Sequence, residues 1–520
     1  MKSLSYIGLG ASLASVALAD KPLKNPFRGG NGGSSFPRRQ EDEAPLVSPE
    51  ALQALIKIDD LVAGSQTLED IAYSYPERNR VFGGESHNEA IDWIIEELEK
   101  TDYYDVVKQE QVHPWSRSDQ TLTVDGVKHE PQTMTYSPSG EVTAQLVLVD
   151  NLGCKAADYP EDVAGNIALI SRGDCPFGDK SALAGAAEAV GAVIYNNEDG
   201  ALSGTLGGQT NPLGEYPPTV GISKLEGEAL LTKIENTQLE AELMVNTESE
   251  NRTTYNIIAT TKGGDQDNIV ALGGHSDSVD AGPGINDDGS GIISNLVIAK
   301  ALTQFSVKNA VRFAFWTAEE FGLLGSEYYV SNLTPDEAAK IRLYLNFDMI
   351  ASPNYANMIY DGDGSAFNIS GPPGSAQIEA LFEDFYADQG LASKPTAFDG
   401  RSDYGPFLDV GIPSGGLFTG AEDIKTEEEA ELFGGEAGVA YDINYHAAGD
   451  NMTNLALDAF GLNCNASAFA VATYALSLED IPERNTTVAP MEVANRKSFR
   501  QQRNADKHRH AGCGHARLDI

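Results

Sequence analysis

Hydrophobic positions fall into two regimes along the chain. Between residues 86 and 99, Ile91, Ile94, Ile95 and Leu98 recur at helical spacing, which predicts an amphipathic helix laying one face on a core. Ser86 and Glu89 just ahead of them fit a capping box. From about 126 to 249, short β-like runs such as AQLVLVD and NIALISRG alternate with turns, and GDKSALAGAAEAVGAVIYNN predicts an Ala-rich helix followed by a strand. After 250 the texture changes. NIVALGGHSD, VRFAFWTAEE and LYLNFDMI are near-continuous apolar runs of strand length, and GIISNLVIAKAL between them reads as a helix. Such runs alternating with helices predict strands buried on both faces. The expected fold class is α/β: a mixed, mostly parallel central sheet flanked by helices, with an inserted, smaller, β-rich α/β domain.

The two ends are different in kind. MKSLSYIGLGASLASVALAD has Lys2, a short apolar run, then Ala17-Leu18-Ala19, the pattern of a cleavable signal segment. Residues 20–45 are rich in Gly, Ser and Pro and read as a disordered linker. Arg38-Arg39 within it offers a dibasic cut that would remove a pro-segment; an uncut flexible arm fits equally. The tail from 496 carries seven Lys or Arg against two Asp and reads as a basic disordered end. The expected divisions are 1–19 signal, 20–45 linker, 46–125 first part of the main domain, 126–249 insert, 250–495 main domain and 496–520 tail.

Composition adds three constraints. A net charge of −41 over 520 residues leaves nothing to neutralise phosphates, so nucleic acid is not an expected partner. No run approaches 18 apolar residues, so no membrane span is expected and a soluble, secreted or vacuolar-type protein is. It is expected to act as a monomer. Secretion would make the sequons at Asn251, Asn332, Asn368, Asn451, Asn465 and Asn485 usable. The four cysteines fit an oxidising compartment: Cys154 and Cys175 are close enough to close a short loop, and Cys464 with Cys513 is the pairing left over.

The chemistry gathers where the apolar runs stop. HSDSVDAGPGINDDGSG, residues 275–291, places one histidine and four aspartates in a glycine-rich loop. Crowded carboxylates repel, so a cation is the missing partner. NIVALGG runs into His275 and Asp277, VRFAFWTA into Glu319 and Glu320, and LYLNF into Asp348, while Asp287 sits where the loop meets the next helix. Parallel strands would bring these residues to one edge of the sheet, where α/β folds bind ligands. Nitrogen and oxygen donors of this kind suit zinc, with cobalt or manganese as substitutes. Calcium is disfavoured by His275, since it takes oxygen ligands. There are too many carboxylates for one ion, and two ions sharing a carboxylate would offset the crowding. A second histidine is then needed, and His446 in INYHAAGDN is the one in a suitable loop.

HSDSVDAGPGINDDGSG, FWTAEEFGLLGS, NFDMI, GRSDYGPF and YHAAGD, in that order over about 270–450, closely resemble the co-catalytic di-zinc aminopeptidases, the family of aminopeptidase Y and bacterial leucyl aminopeptidases. The insert, with GDCPFGDKSALAGAAEAVGAVIYNN, resembles a protease-associated domain. The resemblance implies a zinc-exopeptidase fold and two zinc ions. It places His275 and Asp348 on one ion, Glu320 and His446 on the other, and Asp287 between them. It implies Glu319 as general base, Asp277 as the residue orienting His275, Tyr445 as oxyanion donor, and Arg401 and Asp403 in a loop lining the substrate pocket. The implied substrates are peptides with a free N-terminus, losing apolar, leucine-like residues. Glutamate carboxypeptidases share this metal core, so a carboxypeptidase is the alternative; those chains continue into a long helical domain, whereas only about 75 residues come after His446 here.

Overall fold

The computed structural model describes residues 44–483. The expected signal segment, most of the linker, the basic tail, Asn485 and Cys513 lie outside the described residues.

The apolar runs become the centre of the molecule. Strand Asp265–His275 pairs in parallel with Asn309–Trp316 on one side and Ile341–Phe347 on the other. Ser414–Phe418 adds a further parallel neighbour to Ile341–Phe347. Antiparallel pairs close both flanks: Met358–Tyr360 against Ser414–Phe418, and Leu239–Thr261 against Asn309–Trp316. The mixed, mostly parallel character comes from the residues. From Ile269 to His275 and throughout Ile341–Phe347 every position is buried, so both faces need a helical cover.

That cover includes helix Gly289–Leu302, twelve of whose residues are buried, which packs between the sheet and the helices Ile58–Tyr73 and Leu457–Leu476. Helix Glu85–Glu99 buries Ile91, Ile94 and Leu98, the face read from their spacing. Its start differs from the capping-box expectation. Gly84 is the N-cap, and Ser86 lies inside the first turn, donating to the Asn79 carbonyl (2.6 Å), while Glu89 accepts from the Tyr75 hydroxyl. A tertiary acceptor was available, so the hydroxyl did not have to cap its own helix.

The insert is joined to the main sheet by hydrogen bonds. Tyr104–Val124 and Leu239–Thr261 pair antiparallel from Tyr104↔Thr261 to Val124↔Ala241. Leu239–Thr261 therefore borders Asn309–Trp316 at one end and Gly140–Leu148 of the insert at the other. Beyond it run the parallel strands Ile167–Ser171, Gly191–Tyr195 and Thr219–Ile222, with the Ala-rich helix Phe177–Ala186 preceding Gly191. The Cys154–Cys175 disulfide lies within this part. Cys464 carries a free thiol, fully buried in helix Leu457–Leu476, where burial pushes its pKa up to about 12. Among the described residues no helix is long and apolar enough to cross a membrane.

Candidate active site

Three parallel strands deliver the site because they end level. Trp316 pairs with His275, and Asn346 with Gly273. His275 closes its strand, Asp348 comes directly after Phe347, and Glu319 and Glu320 come a short turn after Trp316. Ala318 and Met349 take left-handed φ values of +54° and +53°, which bends the chain sharply beyond the sheet edge, and His446 has +55°.

Asp287 is brought in by its neighbour. Asp288 caps helix Gly289–Leu302: its Oδ1 accepts from the backbone N–H of Gly291 (2.9 Å) and Met349 (3.1 Å), and its Oδ2 from that of His275 (3.0 Å). One carboxylate thus ties the helix start to two strand ends. Glycine is required for this approach. A Cβ at Gly291 would lie 2.0 Å from the Phe347 carbonyl oxygen, and one at Gly274 would lie 2.2 Å from Asp288 Oδ2.

The donor atoms converge in two groups that share Asp287. His275 Nε2 lies 3.1 Å from Asp287 Oδ1, 3.7 Å from Asp348 Oδ1 and 3.9 Å from Glu319 Oε2. His446 Nε2 lies 3.0 Å from Glu320 Oε2 and 3.3 Å from Asp287 Oδ2. Tetrahedral zinc, with bonds of about 2.0–2.1 Å, sets its donors roughly 3.3 Å apart. These separations suit it. Glu320 Oε1 is buried with no hydrogen-bond partner among the described residues, as an atom reserved for a cation would be.

The electrostatics point the same way. Burial alone would strip the proton from His275, but Asp348, Asp277 and Asp287 outweigh it and raise its pKa well above 6.5. Burial, reinforced by neighbouring carboxylates, raises Glu319 well above the ordinary range and raises Glu320, against the pull of His275 and His446. The protein alone leaves this cluster short of positive charge.

The supporting residues are less obvious in the sequence. The Asp277 main-chain oxygen faces His275 Nδ1 at 3.2 Å, and its carboxylate lies 3.7 Å from that nitrogen. The same carboxylate accepts the Glu319 backbone N–H at 3.1 Å, so Asp277 positions both residues. Ser402, between Arg401 and Asp403 in GRSDYGPF, donates to Asp348 Oδ2 at 2.5 Å and accepts from Asn346 Nδ2 at 2.8 Å. Arg80 is fully buried from a distant segment; its side chain donates to the carbonyls of Ser276, Pro283 and Gly284, holding the two ends of the 276–284 loop together. His87 accepts the Gly83 N–H at Nδ1 and meets Ser276 Oγ at 2.9 Å, and Ser276 donates on to the Trp316 carbonyl. Nothing in its local sequence marks Arg80, which lies in a loop; His87 lies four residues ahead of Ile91 on the buried face of its helix.

A cleft of about 400 Å³ opens over the cluster. Met349, Met358, Phe367, Phe418, Ile424 and Tyr441 supply its apolar wall. Its lysine and arginine are already paired: Lys394 with Glu429, and Arg401 with Glu422 (3.0 and 3.2 Å) and the Tyr445 hydroxyl (3.2 Å). Tyr445 stacks on His446 with ring centres 3.8 Å apart, and burial raises its pKa well above 10, so it stays a phenol and a donor. Asp403 differs from its expected place. It does not line the cleft but is fully buried behind it, where its charge helps raise Glu319. As the N-cap of the short helix Tyr404–Asp409, whose first five residues are buried, it is carried inward with that helix.

Residues 256–471 match Peptidase family M28, and residues 142–230 match the PA domain. The chain is 62% identical to the probable leucine aminopeptidase 2 of Aspergillus fumigatus, across 91% of this chain and 93% of that protein. The chain belongs to peptidase family M28. Leucine aminopeptidase 2 of Arthroderma otae is a second relative, 52% identical across 92% of this chain and 94% of its own. Among solved structures, the aminopeptidase from Aneurinibacillus sp. strain AM-1 matches with a TM-score of 0.60 at 28% identity, covering 82% of this chain and 95% of that one. BSAP, a zinc aminopeptidase from Bacillus subtilis, matches with a TM-score of 0.56 at 27% identity, covering 82% and 99%. On this M28 chain the sequons at Asn251, Asn332 and Asn368 are exposed, while Asn451 and Asn465 are half-buried.

Proposed function

We propose that this M28 chain is a two-zinc aminopeptidase that releases leucine-like residues from peptides with a free amino end. One observation carries the reading: Asp287 presents one oxygen to His275 and the other to His446, the disposition of a carboxylate shared by two ions. His275 and Asp348 would complete one ion's protein ligands, and Glu320 and His446 the other's. When bound, zinc lowers the pKa of water and polarises a scissile carbonyl.

The chain's own groups do the rest. Glu319, partly open to the cleft and raised in pKa, takes the proton of the attacking water and passes it to the leaving amine. Tyr445, held by Arg401, donates to the developing oxyanion. Asp277 fixes the Glu319 backbone and the His275 ring. Carboxylates crowd the cleft floor while Lys394 and Arg401 are engaged, so a substrate ammonium is favoured over a carboxylate, which needs an open bidentate arginine. That pairing and the aminopeptidase names of its relatives both disfavour the carboxypeptidase alternative. The apolar wall suits a leucine-like side chain. A secreted protein fits this reading, since the Cys154–Cys175 disulfide belongs in an oxidising compartment.

The test is a matched set of leucine amides and arylamides with free and N-acetylated amino ends. The free-amine substrates are cleaved, the acetylated ones are not, a chelator abolishes activity and zinc restores it, and metal analysis of dialysed protein finds about two zinc ions. Release of C-terminal residues from an N-acetylated peptide would overturn the aminopeptidase reading, and a firm content of one zinc would overturn the two-ion reading.

A further inference from the structure

The apolar wall of the cleft ends in a charge. Strands Ser414–Phe418, Met358–Tyr360 and Lys394–Thr396 carry part of that wall, in this order outward from strand Ile341–Phe347, which ends just before Asp348. Met358 is paired with Phe418 on one side and with Lys394 on the other. Directly paired residues share one face of a sheet. Phe418, Met358 and Lys394 therefore form a single row, and all three line the cleft. The row passes from a phenyl ring to a thioether to an ammonium group as it moves away from the zinc ligands.

Lys394 is neutralised where it stands. Its Nζ donates to Glu429 Oε1, and Glu429 also lines the cleft. The glutamate is anchored without help from the lysine. Its Oε2 accepts the Thr426 backbone N–H at 2.8 Å, and its own N–H donates to Thr426 Oγ1 at 3.2 Å, the capping box of helix Glu427–Phe433. Burial opposes its ionisation, but hydrogen bonds from Lys394, Thr426 and Tyr441 outweigh that and lower its pKa to about 2. A fixed anion therefore stands at the outer end of the wall. Lys425, the other lysine near Tyr441, is engaged by the carbonyls of Asn354 (3.3 Å) and Tyr355 (2.6 Å). Lys394 is the cation that answers Glu429.

We propose that Lys394 determines which side chain the enzyme accepts: by neutralising the anchored Glu429 it keeps the wall selective for uncharged, leucine-like residues and excludes long basic ones. This rests on the reading of the wall as the seat of the residue being removed. An arginine or lysine side chain laid along the row would bring its cation to Lys394, where like charges repel. With the lysine replaced by an apolar residue, the same side chain would meet a carboxylate already held in place by its capping box, and a charge-assisted hydrogen bond would form. With Glu429 neutralised instead, Lys394 would be free, and acidic side chains would gain. One ion pair at the end of an apolar row thus sets the sign of the specificity, and either half can be removed alone.

The experiment compares kcat/KM for leucyl, arginyl and glutamyl arylamides in zinc-loaded full-length protein, with zinc content and melting temperature checked for each variant. The wild type should prefer the leucyl substrate. Lys394→Met, apolar and of similar length, should raise the arginyl-to-leucyl ratio by about tenfold, and the gain should shrink with added salt. Glu429→Gln, which keeps an acceptor for Thr426, should raise the glutamyl-to-leucyl ratio instead. Lys394→Arg should keep the wild-type ratios, and the double variant Lys394→Met/Glu429→Gln should lose the arginyl gain. An unchanged arginyl-to-leucyl ratio in folded Lys394→Met would overturn the proposal, as would shifts of the same sign in the two single variants. If Lys394→Met does not fold, Glu429→Gln decides, and an unchanged glutamyl-to-leucyl ratio overturns the proposal. A wild type that cleaves leucyl arylamide beside variants with unshifted ratios refutes this specificity role alone. A zinc-loaded wild type that cleaves no free-amine arylamide refutes the aminopeptidase reading and the specificity role with it.

Discussion

His87 should make the stability of the fold fall on mild acidification. It is fully buried, and its two nitrogens are committed: Nδ1 accepts from Gly83 N–H, which forces the proton onto Nε2, facing Ser276 Oγ. A protonated ring would place a hydrogen on Nδ1 against an N–H donor. Burial lowers its pKa from 6.5 to about 4, with Asp277 pulling the other way and Arg80 and His275 adding to the fall. In the unfolded chain the ring takes up a proton near pH 6.5, while in the fold it resists until about pH 4. The unfolded state therefore binds more protons across that window, and stability falls as the pH falls. The contribution is fully present above about pH 6.5 and gone below about pH 4. At roughly 1.4 kcal/mol per pH unit, the whole gap is worth about 3 kcal/mol, of which about 2 kcal/mol is lost between pH 8 and pH 5. His87→Gln keeps an N–H for Ser276 but cannot titrate. It should cost about 1–2 kcal/mol at every pH through the acceptor lost to Gly83. Urea unfolding monitored by tryptophan fluorescence, at matched zinc, should show the wild type losing about 2 kcal/mol more than the variant from pH 8 to pH 5. Proton uptake by the metal ligands is common to both proteins and cancels. Equal losses in the two would refute the claim that His87 is held neutral.

The adjacent glutamates should separate cleanly. Glu319→Gln should retain its zinc and lose about 10²–10⁴ in kcat, the usual share of a general base, whereas Glu320→Gln should lose zinc on dialysis; metal analysis beside steady-state kinetics reads both. The Cys154–Cys175 bridge closes a loop with a sequence separation of 21, so replacing both cysteines by serine should destabilise the insert by about 3 kcal/mol, read as a lower urea midpoint; an unchanged midpoint would show that the bridge adds nothing.

Much of the site was legible before any fold was known. The apolar runs ending at His275, at Glu319-Glu320 and before Asp348 carried both the strand assignment and the direction in which the side chains emerge. Parallel strands that end level must gather the residues at their carboxyl ends. The glycine-rich loop meeting the next helix pointed to Asp287, the need for a second histidine pointed to His446, and the family motifs added Tyr445. The scaffolding behind these residues stayed hidden. Nothing in GRSDYGPF says that Ser402 would donate to Asp348 while Asp403 turns away from the cleft. Nothing near Ser86 shows that its hydroxyl would leave the helix cap for Asn79.

The sequence by itself determined the kind of chemistry and the elements that carry it. Period, turn residues and donor types are local properties, fixed by neighbours a few positions apart. Only the tertiary structure decided which charges meet. Arg80 reaches under a loop some 200 residues downstream, Arg401 is spent on Glu422, and the strand pair Tyr104–Val124 and Leu239–Thr261 welds the insert to the catalytic sheet. Those outcomes depend on packing between segments with no common local pattern. A buried charge takes whatever partner the folded chain brings within reach, and that choice is made only when the core closes.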